Sequence, residues 1–390
     1  MFRKNENFMA AELVDPKTTY NPSRKRIEIL DVLRGFALLG IFLTHIYAIN
    51  MKNGFQYPAK VASLINIFYV NFLFGKFYTI FSFLFGLSFY IQLKSAEIRR
   101  EKFTNKFAWR LTILFMIGAM HALLYKGDIL QEYALLGFLL ILFRKWSKKY
   151  LLLLSIIILG LSVLIPLLNF KISVSENLGV FTEMFAGELF RKIDWYLLSE
   201  GQLYVVAALL VFGFYAGKQK LLESTNIKVF SKILIYSSLL SLSVTLILGG
   251  LYLTGAKQNY NPELINPLIK VLSRFQQISL SFLYVSVIVI YYQKGLSKSL
   301  SLLAKVGKIG LTIYVLQSII IHFFVEMIRT VDFMTAFGLS IVLFAVMIAF
   351  SFYWTSKYKF GPLEWLWRSL TELKVQPLSK NSVTMDRANA

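Results

Sequence analysis

The sequence predicts an all-α fold: a polytopic bundle of about ten transmembrane helices with both termini cytoplasmic. Three observations predict it. Of the 390 residues, 56 % are hydrophobic and only 16 % charged, whereas soluble domains carry about 25 % charged residues. Apolar runs such as Leu151–Phe170, Val229–Tyr252 and Phe333–Trp354 are long enough to cross a hydrocarbon core of about 30 Å. The basic residues, finally, gather in alternate segments between those runs. A soluble enzyme, a disulfide-stapled secreted module and a disordered chain are excluded. With no Cys in the chain, there are neither disulfides nor thiolate chemistry.

The predicted spans are 30–49, 65–93, 107–125, 128–143, 150–169, 201–217, 229–254, 277–293, 309–327 and 334–356. The second is too long for a straight crossing and contains Gly75 and Lys76, so a tilt, a break or a re-entrant pair is expected there. Residues 1–27 are polar and lack an apolar stretch before a small-residue cleavage site, which makes them a cytoplasmic tail. Residues 28–356 form one membrane domain. Its longest outer segment, 171–199, mixes acids, bases and apolar residues as an amphipathic surface helix would. Residues 357–390 form a cytoplasmic interfacial segment and tail, in which Glu364-Trp365-Leu366-Trp367-Arg368 has the composition of an interfacial anchor.

The net charge of +21 could indicate nucleic acid, so its distribution decides. About 30 basic residues fall on one side of the predicted spans and about 10 on the other. The excess is therefore an orientation signal, and nucleic acid is not a predicted partner. The bilayer is, and the predicted location is the cytoplasmic membrane. A homodimer is compatible with the sequence.

Ionisable residues inside spans are costly and mark functional sites by default. The three histidines, His45, His121 and His322, all fall toward the outer ends of their spans. Asp128 and Glu132 open the fourth span from the same side, one turn apart, and Lys126-Gly127 brings Asp128 opposite His121 across a hairpin. Such a group suits a general base with an orienting carboxylate, or a proton relay. No two histidines share a helix at ligand spacing, so no metal is predicted. Arg34 lies one turn into the first span with Asp31 three residues before it. The 11 residues from Arg34 to His45 amount to about three turns plus 20° and a rise of about 16 Å. Both side chains thus share one face, a cation near the inside and a base near the outside. Lys76 is a second intramembrane cation.

The stretch Leu30-Asp31-Val32-Leu33-Arg34-Gly35-Phe36-Ala37-Leu38-Leu39-Gly40-Ile41 resembles the opening of the bacterial DUF418 membrane proteins, which include the YeiB-like proteins. Gly75-Lys76-Phe77, Phe81–Gly86, Gly127–Leu130, Tyr133–Gly137, Gly310–Ser318 and Gly361–Arg368 extend that resemblance over most of residues 26–372. Gln317 belongs to the fifth of these motifs. The family is similar, more distantly, to the transmembrane acyltransferases of the acyltransferase-3 and heparan glucosaminide N-acetyltransferase types, and Arg34 and His45 reproduce the basic-residue and histidine spacing of the O-acetylases.

The resemblance implies an acyltransferase that moves an acyl group, acetyl by analogy, from cytoplasmic acyl-CoA to a hydroxyl or amine on an envelope or extracellular acceptor. His45 is the expected catalytic base or acyl carrier, with Asp128 and His121 orienting it and Glu132 as a second acid. Arg34, Lys76, Asp31 and Gln317 are the expected substrate-binding residues. Acyl-CoA is a co-substrate, and no bound cofactor is expected. The alternative is a transporter or exporter of a small solute or envelope precursor, with the same His/Asp group lining the path.

Overall fold

The computed structural model describes residues 28–53, 58–125, 127–168, 201–222, 227–254, 262–295 and 297–380. The predicted tail 1–27 and the predicted amphipathic segment 171–199 lie outside them. Thirteen α-helices account for nearly all the described residues: α1 (Glu28–Asn53), α2 (Ala59–Phe68), α3 (Lys76–Ile98), α4 (Phe103–Ala122), α5 (Leu130–Leu142), α6 (Lys148–Leu167), α7 (Gln202–Lys218), α8 (Ile227–Leu253), α9 (Pro262–Gln293), α10 (Ser297–Lys308), α11 (Gly310–Thr330), α12 (Phe333–Lys357) and α13 (Pro362–Glu372). The all-α membrane bundle expected from the sequence is the architecture found.

Seven segments are long and apolar enough to cross a bilayer by themselves: Glu28–Met51, Leu64–Ile98, Lys148–Leu167, Ile227–Leu251, Ile265–Gln293, Gly310–Thr330 and Phe333–Lys357. The other three expected spans correspond to α4, α5 and α7. At 13 residues, α5 rises only about 20 Å, short of a full hydrocarbon core. It begins at Leu130, so Asp128 precedes the helix and does not share a helical face with Glu132, as the sequence spacing had implied. Instead the Asp128 carboxylate accepts the Gln131 amide at 3.2 Å and covers the exposed start of α5.

The expected interruption of the second span is present. A π-helical turn, Tyr69–Leu73, follows α2, Gly75 adopts φ +85°, and α3 starts at Lys76. Only glycine takes that left-handed conformation without a Cβ penalty. The Lys76 ammonium donates to the Val70 carbonyl at 2.6 Å, one of the backbone groups that the break frees.

Close helix contacts explain the small residues. A Cβ on Gly86 of α3 would lie 1.8 Å from the Leu210 carbonyl oxygen of α7, and one on Gly213 of α7 would lie 2.0 Å from that of Phe83. The same fit joins α1 to α10: a Cβ on Gly35 would meet the Leu303 oxygen at 2.1 Å, and one on Gly307 the Asp31 oxygen at 1.8 Å. In a lipid solvent, such backbone proximity supplies the packing energy that apolar burial cannot. Around α1, Val32, Leu33, Ala37, Leu38 and Phe42 are fully buried among α3, α10, α11 and α12. At its far end, the Asn50 amide donates to the carbonyls of Ile328 and Val331 at 2.8 and 2.9 Å, fixing α1 to the end of α11.

Candidate active site

The inner faces of α1, α3, α4, α5 and α11 enclose a cavity of about 1110 Å³, with α13 across part of its mouth. Lys94, Arg110, Lys220, Lys308 and Arg368 stand around it and Arg34 lies deeper on α1. All belong to, or adjoin, the segments that carry the basic excess. Farther in, Phe81, Leu84, Phe85, Leu114 and Ile41 form an apolar wall, and Ile129, Tyr133 and Tyr314 lie at its end. Glu28, Asp31 and Glu364 line the same end, so six basic residues against three acids leave it net cationic, and the other end is apolar.

Arg34 is held on two sides. It donates to Asp31 at 2.9 Å, one helical turn away, and to the Ser88 hydroxyl of α3 at 2.5 Å. Its side chain keeps 26 % of its surface accessible, whereas Asp31 keeps 5 %. The guanidinium is thus oriented by protein groups and still open to the cavity. The spacing on α1 had placed Arg34 and Asp31 together; nothing in the sequence around Ser88 marked it as their partner.

Tyr314 forms the boundary between the cavity and a buried histidine. Its ring lies 5.0 Å from that of His121, and its hydroxyl accepts the Ile129 amide at 3.4 Å. Behind it, His121 Nδ1 meets Asp128 Oδ1 at 2.7 Å, with side-chain exposures of 1 % and 0 %. A carboxylate at that distance selects the tautomer with hydrogen on Nδ1, so Nε2 carries the lone pair. That Nε2 is enclosed and has no hydrogen-bond partner among the described residues. An oriented imidazole with a free basic nitrogen is the arrangement of a general base.

His45 is placed differently from its expected pairing with Asp128. Its ring tilts against Tyr125 at 4.6 Å, and Tyr125 lies 6.3 Å from His121 on the other side. Its Nδ1 is buried without a hydrogen-bond partner among the described residues. The carboxylate goes to His121 because the short 123–129 turn returns Asp128 onto the end of its own hairpin partner, α4. His45 belongs to the same aromatic cluster but lies across Tyr125 from the His121–Asp128 pair.

The remaining expected residues separate from this group. Lys76 does not join Arg34: α3 runs 12 residues from Lys76 to Ser88, about 18 Å of helix, and Lys76 does not line the cavity. Glu132 is half-buried on α5 and lies outside the lining. Gln317 is fully buried and donates to the Leu38 carbonyl at 3.0 Å, joining α11 to α1. His322 is exposed on the carboxy-terminal half of α11.

The Glu364-Trp365-Leu366-Trp367-Arg368 segment is more than an anchor. Glu364 accepts the Leu311 and Thr312 amides at 2.7 and 3.1 Å and the Thr312 hydroxyl at 2.5 Å, filling the N-terminus of α11. Burial pushes its carboxyl above the usual value, against the opposing effect of those hydrogen bonds. Trp367 donates to the Arg110 carbonyl at 2.8 Å, and the Arg110 guanidinium lies 4.0 Å over its ring. An ion pair of 2.7 Å between Lys106 and Glu372 holds the other end of α13. The alternation of tryptophans with a buried acid was the signal that α13 turns one face inward.

Residues 26–198 match the family described as heparan-alpha-glucosaminide N-acetyltransferase, catalytic, a range that includes Arg34, His45, His121 and Asp128. From residue 216 onward, the chain matches DUF418. That family is described as a protein of unknown function, and the match covers residues 216–374, from the end of α7 through α13. The resemblance carried by the sequence motifs is thus present in both halves. Relatives match along almost the whole length. An uncharacterized protein, YxaH, from Bacillus subtilis is 28 % identical over 92 % of this chain and 98 % of its own. An uncharacterized 39.9 kDa protein encoded in an amylase 3′ region of Bacillus acidopullulyticus is 28 % identical over 91 % and 96 %. YeiB of Escherichia coli is 27 % identical over 90 % and 98 %. The chain is a multi-pass membrane protein with an acetyltransferase-like amino-terminal half.

Proposed function

We propose that the protein is a membrane acyltransferase that takes its acyl group from acyl-CoA, entering the large cavity from the cytoplasm, and delivers it to a hydroxyl or amine on an acceptor from the opposite side. The observation that carries this is the cavity itself: cations at its mouth, Arg34 within, apolar walls, and an Asp-oriented histidine just behind its end. The cations suit the phosphates of a CoA-type donor. The apolar walls suit the uncharged arm and its thioester.

His121 Nε2 takes the acceptor proton while the acceptor oxygen or nitrogen attacks the thioester carbonyl. The carbon–sulfur bond then breaks, and the histidinium returns its proton to the departing thiolate. Asp128 holds the tautomer and stabilises the imidazolium. Movement of the Tyr314 ring brings the thioester within reach of His121. His45, across Tyr125, meets the acceptor. The amino-terminal match to an acetyltransferase catalytic family supports this chemistry.

The test is release of free CoA by the purified protein from acetyl-CoA and longer acyl-CoAs, with a panel of sugar and amine acceptors. His121→Ala and His45→Ala should each abolish turnover while leaving acyl-CoA binding in place. The enzyme reading fails if acyl-CoA neither binds nor turns over while proteoliposomes move a solute.

A further inference from the structure

The spacing seen on α1 recurs on α4. From Arg110 to His121 is 11 residues, as from Arg34 to His45, so these two side chains also share one face, with a rise of about 16 Å. On that face, Phe107, Arg110 and Leu114 line the large cavity. His121 stands beyond them, behind the Tyr314 ring and held by Asp128. On α1 the corresponding histidine lies across Tyr125 and away from that carboxylate. It is therefore α4 that joins a cavity cation to an oriented base.

Arg110 is positioned without being neutralised. Its guanidinium lies 4.0 Å over the Trp367 ring, and the indole donates to the Arg110 carbonyl at 2.8 Å. Arg368, the next residue on α13, lies 4.8 Å over the Phe360 ring. Stacking fixes the plane of a guanidinium and leaves its N–H donors at the edge free. Among the described residues, neither arginine forms an ion pair.

The neighbouring acids are engaged elsewhere. Asp31 pairs with Arg34, Glu364 fills the start of α11, Glu28 accepts the Tyr292 hydroxyl at 3.0 Å, and Glu372 pairs with Lys106. The repulsion that Arg368 exerts on Arg110 exceeds the attraction of Glu372, and Arg34 adds to it. Guanidiniums held together in this way suit the oxygens of a phosphate group.

The distance to the base is also specific. In a CoA thioester, about 13 bonds separate the phosphorus that carries the pantetheine arm from the sulfur, the length of four to five extended residues, or about 15 Å. That matches the rise from Arg110 to His121. We propose that Arg110 and Arg368 hold the phosphate from which the pantetheine arm extends, and that α4 sets the length of donor accepted by placing His121 one arm away. This rests on acyl transfer as proposed above. It makes the phosphopantetheine unit the part of the donor that is recognised.

The experiment compares acetyl-CoA, acetyl-4′-phosphopantetheine, acetyl-pantetheine and a phosphopantetheine analogue without the β-alanyl unit. Binding to the whole protein in detergent is measured by calorimetry without acceptor, and turnover by thiol release with acceptor. The phosphorylated arm should bind at least tenfold more tightly than acetyl-pantetheine. Arg110→Met and Arg368→Gln should each bring that ratio close to one, and Arg110→Lys should restore part of it. Arg368 is exposed, so its variant covers a failure of Arg110→Met to fold. The shortened analogue should bind like the full arm but release thiol about a hundredfold more slowly, because its thioester stops short of His121. The inference is overturned, with acyl transfer left standing, if acetyl-CoA turns over and the binding ratio survives both arginine variants. Full-rate turnover of the shortened analogue overturns the role of α4 in setting length. If none of the thioesters binds, acyl transfer and this site fail together.

Discussion

Asp128→Asn tests the proposed base directly, because it preserves shape and removes charge. The carboxylate makes two contacts, to His121 Nδ1 at 2.7 Å and to the Gln131 amide at 3.2 Å. Asparagine can retain the second through its carbonyl oxygen. At the first, an amide either accepts more weakly or turns its NH2 toward Nδ1 and moves the imidazole hydrogen to Nε2. The basic nitrogen that faces the reaction is then lost. Wrong-tautomer substitutions of this type in serine proteases cost about 10⁴-fold in turnover. With a partly retained hydrogen bond, kcat should fall about 10³- to 10⁴-fold here, a barrier increase of about 4 to 5.5 kcal/mol. The contribution of the charge-assisted bond to stability is smaller, about 1.5–3 kcal/mol, so the protein should still fold. The assay is initial-rate CoA release, beside acyl-CoA affinity and thermal unfolding on the same preparations. The reasoning is refuted if Asp128→Asn turns over at the wild-type rate, or if its loss of rate is matched by loss of donor binding.

Arg34→Met removes the cation but keeps the apolar stem; the apparent KM for acyl-CoA should rise at least tenfold with a smaller change in kcat, read from saturation curves. Gly86→Ala drives a methyl group into the Leu210 carbonyl, 1.8 Å from the ideal Cβ position. It should destabilise the α3–α7 pair by about 1–3 kcal/mol, measured by unfolding in detergent, with no specific change in donor affinity. Gly307→Ala displaces the Asp31 backbone in the same way and should raise KM as well, because Asp31 orients Arg34. Glu364 predicts a pH dependence. Its carboxyl is raised by burial, so the folded state holds its proton more tightly than the unfolded chain. Stability should then decrease as pH rises from the ordinary carboxylate range through the raised value, and level off above it. Glu364→Gln should remove that slope from the unfolding midpoint measured against pH.

Hydropathy made the bundle legible because a lipid solvent imposes a single requirement on every segment, about 20 apolar residues with all backbone groups satisfied. The expected break at Gly75 followed from the same requirement: a 35-residue apolar stretch, Leu64–Ile98, is too long for one straight crossing. What hydropathy could not show was α10 and α13. Both are amphipathic and lie against the bundle, so their apolar residues are too dispersed to register as spans. Yet Gly307 of α10 touches the backbone of Asp31, and Glu364 of α13 closes the start of α11. The sequence recorded those contacts only as isolated small or acidic residues.

The candidate site was legible along single helices and at one hairpin. Spacing on α1 placed Arg34 and Asp31 together, and the short turn after α4 placed Asp128 opposite His121. Relations between distant helices were not legible. Which histidine receives Asp128 depends on where the seven-residue turn between α4 and α5 ends. Ser88, Tyr314 and Arg110 reach the cavity from three helices whose mutual rotation no linear pattern records. Lys76 shows the same limit most clearly. In the chain, it is simply the other cation inside the bilayer, and pairing it with Arg34 was the natural reading. About 18 Å of α3 separates their levels, and the break that exposes Val70 turns Lys76 toward α6, α7 and α9 instead. The two cations of the hydrophobic segments therefore line two separate cavities, Arg34 the large one and Lys76 the small one.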